Sequence, residues 1–184
     1  GGAGMLLTNL DVAKRKCARP AFVTGVSSIT HSVFMGDRQG FWSDTDFADQ
    51  DAQDRAAHEC YRQAGIIDPV RDVDVLELYD PFSTFQFPIL ESLGFCGRGE
   101  AASIEEDGGW EVDGGIVAVN PSGGTLCTNP IGVTGLVRAA DAANQIMGRA
   151  GDMQVKNAKS AISTAIGGST QFFTISAFSD DHVA

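Results

Sequence analysis

Apolar runs of strand length alternate along this chain with stretches of helical periodicity, and the runs end at glycine- or proline-rich turns. That order favours a mixed sheet with helices packed over it, and crossovers between parallel neighbours should be right-handed. Residues 5–10 and 22–29 read as two opening strands, the second with Gly25 as a bulge or a point of close approach. Residues 46–64 carry Phe47, Ala48, Ala52, Ala56, Ala57, Cys60 and Tyr61 at helical spacing, and Gly65 supplies the stop. Val73, Val75, Leu76 and Leu78 form a strand that ends at Tyr79-Asp80-Pro81, and a helix over 83–93 follows. Residues 94–109, rich in glycine and acids, read as a surface excursion with one helical turn at 101–105. A strand over 116–120 breaks at Pro121-Ser122-Gly123-Gly124, and Val133, Leu136, Val137, Ala140, Ala143, Ile146 and Met147 predict a helix over 132–148. Residues 161–166 and 171–178 close the chain as a hairpin around Gly167-Gly168-Ser169-Thr170. The expected fold class is α/β, a mixed five-stranded sheet with helices on both faces, with residues 1–184 forming one domain.

Composition excludes several classes. With 43% hydrophobic and 20% charged residues over 184 positions, there is enough apolar material for one packed core. A formal charge of −11 and a pI near 4.5 argue against a phosphate-backbone partner, which would need clustered Lys and Arg. No stretch reaches the roughly 20 apolar residues of a membrane span, and no signal peptide is visible, so a cytoplasmic protein is expected. Cys17, Cys60, Cys96 and Cys127 lie more than thirty residues apart, which fits reduced thiols rather than a zinc site or a disulfide framework. His31 and His58 have no ligand partner at metal spacing and His182 lies in the tail, so no metal is assigned. The abrupt apolar start at Gly1 reads as the middle of a larger fold.

Three turns follow predicted strands, where ligand chemistry gathers in α/β proteins. They are Tyr79-Asp80-Pro81-Phe82, then Asn120-Pro121-Ser122-Gly123-Gly124 through Thr128-Asn129-Pro130-Ile131-Gly132-Val133-Thr134-Gly135, and Ala165-Ile166-Gly167-Gly168-Ser169. In order and spacing they resemble the three active-site loops in the C-terminal half of thiolases. Those loops read like Asn-Glu-Ala-Phe (His-Asp-x-Phe in the sterol-carrier-protein branch), Asn-x-x-Gly-Gly followed by Gly-His-Pro-x-Gly-Ala-Thr-Gly, and Cys-x-Gly-Gly-Gly. Residues 1–7 are similar to the strand that ends a thiolase's first half.

The resemblance implies an αβαβα layered fold and a coenzyme A thioester as substrate, with no covalently bound cofactor. It also implies a nucleophilic cysteine in an N-terminal half or complementary chain, a homodimer or hetero-oligomer, and a zinc-ribbon/OB-fold partner protein. This sequence departs from the pattern at the proton-handling positions. Tyr79 replaces the Asn or His that holds a catalytic water, Asn129 replaces the activating His, and Ala165 replaces the acid-base Cys. Neutral Asn129 can donate to a thioester oxyanion but cannot act as a general base. With Pro130 at a helix's first position, the amides of helix 132–148 would add a positive field beside it.

Tyr79 is a candidate proton donor or acceptor, as in a thiolase-like branch that cleaves steroid side-chain CoA esters by retro-aldol chemistry. Cys127 is a candidate proton-transfer group or secondary nucleophile, with Cys127 or Thr128 in the place of a small hydroxyl residue of the phloroglucinol-acylating branch. Tyr79, Cys127 and Asn129 are therefore the candidate catalytic residues. Asp80, Asn120, Gly123, Gly124, Thr128, Gly167 and Gly168 are the candidate oxyanion and substrate-binding residues. Two functions compete: carbon–carbon bond formation or cleavage beside an acyl-CoA thioester, with acyl transfer or thiolysis by a thiolase-like acyltransferase first and retro-aldol cleavage as runner-up, and a non-catalytic CoA-ester-binding or scaffold subunit of a multienzyme complex.

Overall fold

The computed structural model describes residues 1–38 and 50–181. Five strands make one mixed sheet: β1 (Phe22–Thr30), β2 (Val75–Glu77), β3 (Ala118–Val119), β4 (Ser160–Gly167) and β5 (Phe172–Ser179), in the order β1-β5-β4-β2-β3. β2 runs parallel to both β3 and β4, while β5 is antiparallel to β4 and to β1. The C-terminal ends of β2, β3, β4 and β1 therefore share one end of the sheet. The three turns singled out in the sequence all leave from that end, because each follows one of the three adjacent parallel strands β4, β2 and β3.

Alternation along β4 and β5 splits the core in two. Ile162, Phe173, Ile175 and Ala177 are buried, and Ile162, Ile175 and Ala177 meet Ala56, Ala57, Cys60 and Tyr61 of α2 (Asp51–Ala64) and Ile89 and Leu90 of α4 (Gln86–Ser92). Ala161 and Phe178 pack on the other side with Ala142, Ala143 and Ile146 of α7 (Thr134–Met147). Helices thus cover both faces. Gly25 is both things its position suggested. The β1–β5 register shifts between Val23 and Gly25, and a methyl group there would fall on the carbonyl oxygen of Cys60.

Several boundaries differ from the sequence expectation. Residues 5–10 form no strand and pair with none of the described strands, and Leu6 and Leu7 stand exposed. Leu10 instead opens α1 (Leu10–Lys16), where the Asn9 side chain accepts from the Val12 amide at 3.0 Å and Lys14, Arg15 and Lys16 fill the last turn. α3 (Pro69–Asp72) is capped by Asp68 with Pro69 at its start. The helix expected over 46–64 begins at Asp51 within the described residues, and Phe47 and Ala48 lie outside them, as does His182. The strand expected from Val73 is confined to Val75–Glu77, and that over 116–120 to Ala118–Val119. The helix expected over 83–93 spans Gln86–Ser92, and the turn at 101–105 is α5 (Ala101–Glu106).

Pro130 does not open the long helix. Gly132 at φ 97° and the turn bond from the Val133 amide to the Pro130 carbonyl interrupt the chain, so α7 starts at Thr134. A short α6 (Gly124–Cys127) fills the loop before it. Among the described residues, no helix is long and apolar enough to cross a membrane.

Candidate functional site

Beyond the ends of the parallel strands lies an open cavity of about 1220 Å³. Tyr79, Asn129, Ala165, Gly167 and Gly168 line it, together with Thr134 and Gly135 at the start of α7. One wall is apolar, from Pro81, Phe82, Phe85 and Phe172, and Ser163, Thr174 and Ser176 of the sheet present hydroxyls. α7 approaches the sheet here with no side chain between, since a Cβ on Gly135 would stand 2.6 Å from the Ala165 Cβ.

Asn129 is exposed at the cavity mouth, and its Oδ1 accepts the Thr134 hydroxyl at 2.7 Å. With Oδ1 occupied, the two N–H groups of the amide are the donors left to face a ligand. Tyr79 is half-buried, its backbone amide held by the Thr164 hydroxyl at 2.8 Å.

Asp80, Asn120, Gly123 and Gly124 lie outside the cavity lining, and their hydrogen bonds build the second loop. Asn120 accepts from the Leu78 amide at 2.6 Å and donates to Asp80 at 2.8 Å, while Asp80 also accepts from the Thr125 amide at 3.0 Å. The backbone turns sharply, with φ of 49° at Asn120, 91° at Gly123 and 62° at Gly124, and a Cβ on Gly124 would sit 2.7 Å from the Asn120 amide nitrogen. A non-glycine residue in the left-handed region persists only where its surroundings over-determine it. Cys127 and Thr128 are exposed beyond this loop and do not line the cavity.

Beneath the second loop sits a charged cluster that the sequence reading missed. Glu77, on the central strand β2, is fully buried, and Arg138 of α7 is 2% exposed. The Arg138 guanidinium donates to Glu77 at 3.2 Å, to the Ser122 hydroxyl at 2.8 Å and to Asp141 at 2.8 Å. Ser122 in turn donates to Glu77 through its hydroxyl at 2.6 Å and its amide at 3.3 Å. A charge inside an apolar run on each element, Val75-Leu76-Glu77-Leu78 and Val137-Arg138-Ala139-Ala140, was the available signal.

Burial pushes the Glu77 carboxyl up to about 7, against the pull of the Ser122 hydroxyl and Arg138. Burial raises Asp80 and Asp141 as well. A carboxyl that binds its proton more tightly folded than unfolded makes stability fall as pH rises between the two values. For Glu77 that window runs from 4.5 to about 7. The loss across it is on the order of 3 kcal/mol. Asp72, which the Asp68 and Ile67 amides hold low, acts with the opposite sign below that window. Urea denaturation at about pH 5 and about pH 7.5 should show the decline in the native chain and a much flatter profile in Glu77→Gln. An unchanged slope in the variant would assign the pH dependence elsewhere.

Among the described residues, no group of three or more His, Cys, Asp or Glu side chains is placed to hold a metal ion. His31 accepts from the Ser32 amide at 2.7 Å and pairs with Asp51 at 2.9 Å, and His58 is an exposed helix residue beside Asp54.

A mixed sheet covered by helices on both faces, with three loops converging past its parallel strands, matches what comparison with known proteins finds. Residues 36–180 match the family described as thiolase C-terminal domain-like, and the chain belongs to that family. It is 32% identical over 169 residues to the acetyl-CoA acetyltransferase of Methanothermobacter thermautotrophicus, covering 91% of this chain and 42% of that protein. It is 39% identical over 118 residues to human sterol carrier protein 2, covering 64% of this chain and 21% of that protein. The chain thus spans less than half the length of these curated relatives. Among solved structures, the Ltp2-ChsH2(DUF35) aldolase superposes with a TM-score of 0.74 at 24% identity, over 92% of this chain and 42% of that one, a likeness of fold.

Proposed function

We propose that this chain is the thioester-holding C-terminal half of an enzyme that makes or breaks a carbon–carbon bond beside an acyl-CoA thioester. The observation that supports this most is the joint lining of one cavity by Tyr79, Asn129 and the Gly167-Gly168 turn, at the ends of adjacent parallel strands. The Asn129 amide donors, with the uncapped first-turn amides of α7, would stabilise negative charge on the thioester oxygen. A complementary N-terminal half completes the site, in keeping with relatives more than twice as long. A cytoplasmic homodimer or hetero-oligomer, with a zinc-ribbon/OB-fold partner protein, completes the proposal.

Within that chemistry, retro-aldol cleavage is favoured over acyl transfer by what faces the cavity. Ala165 has no proton to move, Cys127 does not line the cavity, and among the described residues Tyr79 is the titratable side chain that does. In cleavage of a β-hydroxyacyl-CoA, a base removes the hydroxyl proton and the Cα–Cβ bond breaks. The released pair enters the thioester as an enolate held by Asn129, and a proton returns to Cα. The products are a carbonyl compound and a shortened acyl-CoA. Tyr79, on the cavity lining, would relay the hydroxyl proton. The loss of the acid-base cysteine also favours a second reading, a CoA-ester-binding subunit without turnover.

Assembling the chain with its complementary half and supplying β-hydroxyacyl-CoA and 3-ketoacyl-CoA substrates separates these readings. Cleavage of the former, abolished by Tyr79→Phe and spared by Cys127→Ala, is the expected result. Thiolysis lost with Cys127→Ala would favour acyl transfer, and binding without turnover would favour the non-catalytic subunit.

A further inference from the structure

The third turn is held from behind by a buried arginine remote in sequence. Arg38, 4% exposed, follows β1, which ends at the same end of the sheet as β4. Its Nη1 donates to the carbonyl oxygen of Ser169, to the carbonyl oxygen of Thr170 at 2.7 Å and to the Thr170 hydroxyl at 2.9 Å. The Thr170 hydroxyl also donates to the Ser169 carbonyl at 2.6 Å. Thr170 has φ of 57°, a costly conformation for a β-branched residue, and Gly168 has φ of 62°.

A trans peptide points its C=O and N–H in opposite directions. With the Ser169 carbonyl drawn onto Arg38, the Thr170 N–H faces away from it. The Gln171 N–H, opposite the Thr170 carbonyl, closes the turn onto the Gly167 carbonyl at 3.1 Å. That bond fixes the Gly167–Gly168 peptide in turn. One guanidinium therefore sets the orientation of consecutive peptide groups on the cavity rim, and it holds Thr170 where its side chain alone would not stay.

We propose that Arg38 is a positioning residue for the substrate site, setting the Gly167–Thr170 turn that faces the thioester; this rests on the cavity being the thioester site proposed above. A lysine keeps the charge, but its ammonium ends one bond short of Nη1, the nitrogen from which all three bonds leave, so Arg38→Lys should fail to hold the turn.

The test uses the chain assembled with its complementary half. In Arg38→Lys and Arg38→Ala, kcat is expected to fall about tenfold to a hundredfold with KM for the acyl-CoA changed less than about threefold. Added guanidinium, but not equal sodium chloride, should restore rate to Arg38→Ala. Amide hydrogen exchange over residues 166–172 should rise in both variants while exchange over 160–165 and 173–179 stays put, and this reading needs no turnover. Unchanged exchange at the turn would overturn the proposal whatever the activity. Full kcat in Arg38→Lys, or a loss in Arg38→Ala that guanidinium does not relieve, would do the same. If the native assembly turns over no thioester, the proposed reaction fails, and the exchange data still decide whether Arg38 sets the turn.

Discussion

At about pH 8, above the range in which Glu77 takes up its proton, Arg138→Met should destabilise the chain by about 3–5 kcal/mol, the usual consequence of stranding one member of a buried ion pair. Arg138 is the cation that touches Glu77, and that carboxyl is buried on a central strand, where β3 and β4 flank β2. Removing the guanidinium leaves Glu77 with the Ser122 donors alone, and Ser122 and Asp141 each lose the bond from α7. The damage should be largely specific to the unpaired carboxyl. Arg138→Met combined with Glu77→Leu should therefore recover most of the loss, since a well-packed apolar pair is often as stable as a buried ionic one. A double-mutant cycle in urea measures this directly. A single Arg138→Met cost below about 1 kcal/mol, or a double variant weaker than both singles, would mean the cluster is not the anchor its geometry describes.

What the sequence disclosed and what it withheld follow from the range of each interaction. Strand-length apolar runs ended by glycine and proline are local signals, and they located β2, β3, β4 and β5 and the three turns that leave the parallel strands. The bulge at Gly25 was equally local. The contacts that hold the turns are not. Arg138 meets Glu77 across 61 residues, and Arg38 meets Thr170 across 132, so a short window shows at most a charge inside an apolar run and never its partner. Residues 5–10 have the apolar content of a strand, but strand formation depends on pairing, and none of the described strands pairs with them. The Asn9 cap and Asp11 that start α1 were readable, and the same Leu10 had been assigned to the strand before it. Asn120 and Asp80 show a further limit of reading motifs. Side chains that stand where ligand-binding residues are expected can be engaged in building the loop, and the hydrogen-bond partners show that use.

On the proposed reading, Asn129→Ala should lower kcat by about a hundredfold to a thousandfold in the assembled enzyme, the scale of losing one preorganised oxyanion donor. The argument depends on orientation as well as identity. The Thr134 hydroxyl takes the Asn129 Oδ1 at 2.7 Å, which leaves the amide N–H groups as the polar end presented to a ligand. Thr134→Val should therefore lower kcat too, by about tenfold, because it frees the amide to rotate and costs preorganisation rather than the donor itself. Asn129→Asp should be at least as damaging as Asn129→Ala, since a carboxylate places negative charge where the enolate oxygen must form. Melting temperatures of the three variants should stay near that of the native chain, as Asn129 is exposed and Thr134 gives up a single hydrogen bond. If Asn129→Ala retains full kcat, the oxygen of the thioester must be held by the amides of α7 and the Gly167-Gly168 turn instead. The cavity would then keep its place at the ends of the parallel strands, with backbone rather than side-chain donors carrying the charge.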